Sequence, residues 1–210
     1  MDFAILSRAL WLLFHKSFGS QIENSYDKNF SKEVMRLAKK NYFKIISNPP
    51  VIGKHNPMLI NILFAAFVAS VYKAGNGKIS PAKMGVIMSD GVEQVSLFKK
   101  FIGINDYFSK SWQDKRHRQT LQTQKREYPD DFVCEFIYGE TFDEYGINYY
   151  ECALFKLLKR EGCPELAPQM CKFDYVMAKY MNADFKRTKS LATGGDFCDL
   201  RYSKKTLEKS

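Results

Sequence analysis

Residues 185–202 read Phe185-Lys186-Arg187-Thr188-Lys189-Ser190-Leu191-Ala192-Thr193-Gly194-Gly195-Asp196-Phe197-Cys198-Asp199-Leu200-Arg201-Tyr202. The tetrapeptide Thr193–Asp196 divides two runs that read as antiparallel strands, Phe185–Ala192 and Phe197–Tyr202, joined by a tight glycine turn. Gly194 or Gly195 is expected at positive φ, which costs a residue with a Cβ about 1 kcal/mol or more. A third alternating run, Phe132–Tyr138, follows the turn signal Tyr128-Pro129-Asp130-Asp131 and predicts another strand.

Upstream the period changes. Phe3–Phe18 places Ile5, Ala9, Leu12 and Leu13 on one helical stripe, and Phe30–Ser47 does the same with Val34, Leu37, Ala38, Tyr42 and Ile45. Asn48-Pro49-Pro50 stops the second helix, because a proline disfavours helical geometry in the residue before it. Asn56 then reads as an N-cap, with Pro57 opening the next helix. Leu59–Tyr72 is the most apolar segment. Asn61 and Ser70 interrupt it, and it falls short of the roughly 20 residues a bilayer span needs, so it predicts a buried core helix. Gly75-Asn76-Gly77 ends it, and Ser80-Pro81 starts another helix running to about Ile102. Gly146–Arg160 and Pro164–Asn182 also read as helices. Helices followed by β-α-α-β-β predict an α+β fold, with a helical N-terminal half and a small antiparallel β-sheet packed against helices.

Composition narrows the function. Seventeen Phe and twelve Tyr predict an aromatic core. The net charge of +9 permits an anionic partner without naming one. Six basic residues gather in Lys110–Arg126, but no nucleic-acid reader module accompanies them, so an exposed, solvated segment is expected and no nucleic-acid partner. Gly75-Asn76-Gly77-Lys78 lacks P-loop spacing. Five cysteines without a CxxC predict free thiols and a cytoplasmic location. No secretory leader or membrane span is expected. A small-molecule substrate is the partner expected, and a homo-oligomer is compatible with everything above.

Thiols and carboxylates concentrate in the last third. Cys171 and Asp174 are three apart and share a helix face. Cys198 begins the last strand, just after the turn that carries Asp196 and before Asp199. If that strand packs on the Cys171 helix, both thiols and the carboxylates meet in one pocket, giving a nucleophile and a proton carrier. The competing reading is inert packing, the usual state of a buried free cysteine. Cys152, Cys163, Cys171 and Cys198 are too unevenly spaced for a compact zinc knuckle. His15 and His117 read as surface residues, and His55 as a residue at a pocket mouth.

The run Cys171-Lys172-Phe173-Asp174, followed by Thr188 to Ala192, Gly195-Asp196 and Cys198-Asp199, resembles the signature of the L-2-amino-thiazoline-4-carboxylic acid hydrolase family. The likeness is densest over residues 150–202 and extends loosely back to about 55. Leu200 departs from it, standing where an aromatic is usual. The resemblance implies a cofactor-free hydrolase that opens a C–N or C–S bond of a small cyclic amidine or isothiourea-like carboxylate. It implies catalytic roles for Cys171, Asp174 and Cys198, the nucleophile being a cysteine or an Asp-activated water. Arg187, Asp196, Asp199 and Arg201 are then substrate-binding candidates, an arginine fork suiting the carboxylate. The same Gly-x-x-Cys hairpin is similar to that of 4-vinyl reductase ligand-binding domains, which makes a non-enzymatic ligand- or metal-binding module the alternative. On this reading residues 1–50 are helices packed on a main α+β domain of residues 51–205, and 206–210 form a charged tail.

Overall fold

The computed structural model describes residues 3–53, 56 and 58–205. His55, Pro57 and the charged tail lie outside the described residues. Six helices come first: α1 (Phe3–Ser25), α2 (Lys28–Ser47), α3 (Leu59–Ala74), α4 (Pro81–Glu93), α5 (Ser96–Gly103) and α6 (Lys110–Thr123). Strands β1 (Val133–Tyr138) and β2 (Glu144–Glu151), helices α7 (Ala153–Arg160) and α8 (Ala167–Tyr180), and strands β3 (Ala183–Lys186) and β4 (Cys198–Lys204) complete the chain. The architecture is the expected α+β arrangement.

Helix α3 is the central post. Its residues from Ile62 to Val71 are all buried, and α2 packs along it. The aromatic core expected from composition forms around it: the Phe18 ring meets Phe67 edge-on with centroids 4.8 Å apart, and Trp11, Tyr42 and Phe14 close the cluster. Edge-to-face contacts of this kind add about 0.5–1.5 kcal/mol each beyond area burial. Tyr42 is fully buried, and its hydroxyl donates to the Ser7 carbonyl at 3.1 Å. Gly91 of α4 lets α1 approach; a Cβ there would lie 2.8 Å from a Phe18 ring carbon. Among the described residues, no helix is long and apolar enough to cross a membrane.

Several boundaries differ from those expected. The helix begun at Ser80 breaks at Gln94–Val95, which turns α5 so that the Phe98 ring meets Phe14 at 5.3 Å. Asn56 lies two residues ahead of the helix cap, and its Oδ1 accepts from the Met58 N–H. The largest correction is β2. Residues Glu144–Glu151, expected to include the start of a helix, form a strand on which Tyr145, Ile147 and Tyr149 share the face toward the helices. Aromatic and β-branched side chains suit such a pleated, half-buried surface. The helix starts only after Cys152, whose backbone is still extended.

The sheet order is β1-β2-β4-β3, antiparallel throughout. Strands β3 and β4 pair as expected, with Phe185 opposite Tyr202, but no tight hairpin joins them. The connection leaves the sheet after Lys186 and includes a short 3-10 turn, Leu191–Thr193, capped by the Ser190 hydroxyl. Asp199 explains the detour: its carboxylate accepts from the Thr188 and Lys189 N–H groups at 2.9 and 2.5 Å and from the Thr188 hydroxyl at 2.5 Å. Gly194 has φ +87°, the positive value expected of one turn glycine.

Candidate active site

A cleft of about 100 Å³ opens where α8, the N-terminal end of α7 and the helix-facing side of β2 and β4 meet. Cys171 and Asp174 enter it from one face of α8, Cys198 from the first residue of β4, and Arg187 from the segment after β3. Register explains the strand contributions. Cys198 pairs with Tyr149 and Leu200 with Ile147, so these four side chains point the same way. Cys171 and Cys198 therefore share a pocket.

Ser190 links the two thiols. Its hydroxyl lies 3.6 Å from Cys171 Sγ and 3.9 Å from Cys198 Sγ, while the Leu191 N–H donates to Cys198 Sγ at 3.3 Å. Cys152 borders the same cleft. Burial pushes the Cys171 thiol above its usual range and Cys152 up to about 12, because desolvation disfavours a thiolate. Cys163 lies elsewhere, near Lys73, Glu161 and Glu165, so the four thiols weighed as zinc ligands do not converge. Among the described residues, no three His, Cys, Asp or Glu side chains are placed to hold a metal ion.

Asp174 is the one carboxylate among the described residues that line the cleft. Burial pushes it up to about 6, against the attraction of Arg187, whose Nη1 donates to Oδ2 at 2.7 Å. The Arg187 side chain is only 9 % exposed; its Nη2 donates to the Cys171 carbonyl at 2.9 Å, and its guanidinium lies over the Tyr175 and Phe185 rings. A carboxylate poised near 6 can both accept and return a proton close to neutral pH. Tyr149, on the strand that replaces the expected helix start, also lines the cleft.

The other expected site residues stand apart. Asp196 is exposed and does not border the cleft. Asp199 and Arg201 alternate with Cys198 and Leu200, so they project from the opposite face of β4, where Arg201 lies against Gly146. Asp199 stays below the usual carboxylate range despite partial burial, because the Thr188 hydroxyl and the backbone N–H groups bind its charged form. Both expected surface histidines are half-buried: His15 stacks on Trp11, and His117 packs against Tyr138. Ser190 and Tyr149 had no marker as site residues.

Residues 60–202 match the family described as L-2-amino-thiazoline-4-carboxylic acid hydrolase. The chain belongs to this family. The match spans α3 to β4, so it contains every residue that lines the cleft except Met58. No curated protein and no solved structure matches the chain. Family membership supports hydrolase chemistry of the amino-thiazoline carboxylate type. In α6, the family region includes the basic segment: Lys110, Lys115, Arg118, Lys125 and Arg126 are exposed on and just after the helix, and only Arg116 folds inward, over Trp112.

Proposed function

We propose that this chain hydrolyses a small cyclic amidine or isothiourea-like carboxylate, with Asp174 as proton carrier and Cys171 or Cys198 as nucleophile. The observation that carries this reading is the convergence of both thiols with a carboxylate raised to about 6 in one cleft. The thiol sulfur adds to the electron-poor ring carbon between nitrogen and sulfur. Its proton passes to Asp174 and then to the ring heteroatom whose bond to that carbon breaks. Water next adds to the carbon, the carbon–sulfur bond to the enzyme breaks, and the thiol regains a proton. Arg187 holds Asp174 and orients it. The second Nη2–H and Nε–H of Arg187 are the groups suited to a substrate carboxylate, as arginine's fork supplies five donors.

Steady-state turnover of L-2-amino-thiazoline-4-carboxylate by the purified chain tests the proposal. Cys171→Ser, Cys198→Ser and Asp174→Asn are then compared. Loss of turnover in one thiol variant, with a trapped mass adduct in the unaltered protein, supports covalent catalysis. Full activity in both thiol variants with loss in Asp174→Asn reassigns the attack to an Asp174-activated water. Burial raises the Cys171 and Cys152 thiols, which favours a second reading, a ligand-binding module with inert cysteines. Saturable binding of the compound without turnover would select it.

A further inference from the structure

Beside the cleft lies a larger groove of about 300 Å³, walled by α1, α3, α5 and α8. The two cavities share Asn61, Leu154, Met170 and Asp174, so they meet at the proposed proton carrier. Beyond that junction the groove is hydrocarbon: Leu6, Leu13, Phe14, Phe64, Leu97 and Phe173 are typical of its wall. Asn61 and Asp174 are the two polar side chains that line it, and both stand at the junction. The polarity is therefore graded, with polar groups at the end that meets the cleft and none along the arm. The far end reaches α5, which buries none of its residues; Leu97 at the rim is 68 % exposed, with Phe101 and Ile104 exposed on the same helix and beside its end. An apolar arm of this kind on a soluble protein marks a binding site more often than a packing fault.

We infer that the groove holds the hydrocarbon chain of an amphiphilic substrate whose small polar head sits in the cleft at Asp174. This rests on the reading of the cleft given above and names the substrate class that cleft serves: an isothiourea- or amidine-type head carrying an alkyl or acyl chain. Charge complementarity sets the orientation. The arm offers no group to solvate a charge, and the head meets the carboxylate of Asp174, the thiols and the remaining donors of Arg187.

The test is a binding series with S-alkylisothiouronium salts, from S-methyl to S-decyl, measured by calorimetry below their micelle concentrations. A chain that leaves water for the groove gains about fourfold in affinity per added methylene until the groove is full. A parallel series with Ala9→Trp, which puts an indole into the groove from an exposed position on α1, is expected to be flat beyond S-methyl, with the S-methyl affinity unchanged. A flat series in the unaltered protein overturns the inference, and so does a rising series that Ala9→Trp leaves intact. A dimer in light scattering that Ala9→Trp converts to monomer also overturns it, because a second copy of the chain then covers the groove. Rising affinity along the series with no turnover of any amino-thiazoline compound upholds the groove and rejects the hydrolase reading. Turnover of the short compound with a flat series does the reverse.

Discussion

Replacing Arg187 by Gln removes the cation that holds Asp174 ionised. The two groups are 2.7 Å apart, and Arg187 is nearly closed to solvent, so water and salt screen the attraction weakly. An adjacent arginine lowers a carboxylate by about one to three pH units. Asp174 stands at about 6 even with that help, since burial outweighs it. Arg187→Gln is therefore expected to move Asp174 into the range ~7–9. Carbon-13 titration of aspartate side-chain carboxyls measures this directly, with the Asp174 resonance identified by its loss in Asp174→Asn. Stability must follow. The folded value lies above the ordinary 3.8, so between roughly pH 4 and 6 the folded state binds more protons than the unfolded one. Stability thus falls as pH rises through that window and levels off above it. At ~1.36 kcal/mol per pKa unit the full effect is ~3 kcal/mol, and about half survives because water reaches part of the Asp174 side chain. In Arg187→Gln the decline continues to about pH 8, and the acid limb of any Asp174-dependent turnover moves up with it. Arg187→Lys keeps the charge and is expected to stay near the original value. A carboxyl in Arg187→Gln that still titrates at or below 6 would refute the reasoning.

Three further outcomes are expected. Gly91→Ala forces a Cβ to 2.8 Å from Phe18 and should cost about 1–3 kcal/mol in urea denaturation, the usual penalty for overpacking a tight contact. Gly194→Ala meets no neighbouring atom yet must adopt φ +87°, so it is expected to lose about 1 kcal/mol by backbone strain alone, read in the same assay. Reversing the exposed Lys115, Arg118 and Lys125 to Glu should lower kcat/KM for an anionic substrate by an amount that shrinks with added salt, since screening acts over about 10 Å at 0.1 M; a salt-independent loss would instead mean direct contact.

The pairing of Cys171 with Asp174 was legible because a spacing of three on a helix has one geometric meaning. The core was legible too, since an apolar segment of the length of Leu59–Tyr72 is too short to span a bilayer and must be buried. Strand β2 was not. Tyr145-Gly146-Ile147-Asn148-Tyr149-Tyr150 runs into the amphipathic stretch Ala153–Arg160 with no Gly or Pro between them, so the change of period at Cys152 carries no punctuation. Losing that strand also hid Tyr149 from the site.

The outward residues of β4 make a different point, because their placement follows from the strand reading itself. A strand that turns Cys198 and Leu200 toward the helices must turn Asp199 and Arg201 away, since side chains alternate with period two. The Cys-Asp pair of the family motif therefore divides its work between two faces. Cys198 borders the cleft, while Asp199 reaches around the strand edge to bind the backbone of Thr188 and Lys189. That tether fixes the segment between Arg187, which holds Asp174, and Ser190, which touches both thiols. We therefore propose Asp199 as a positioning residue that acts on the cleft through the Thr188–Lys189 backbone. Asp199→Asn keeps one acceptor for the backbone donors but loses the charge that strengthens those bonds. It should loosen residues 187–190 and so lower the protection of the Thr188 and Lys189 amides against hydrogen exchange, while the strand pairing between Tyr149 and Cys198 stays protected. Unchanged protection at Thr188 and Lys189 would mean that the short loop contacts, not Asp199, hold the two halves of the site together.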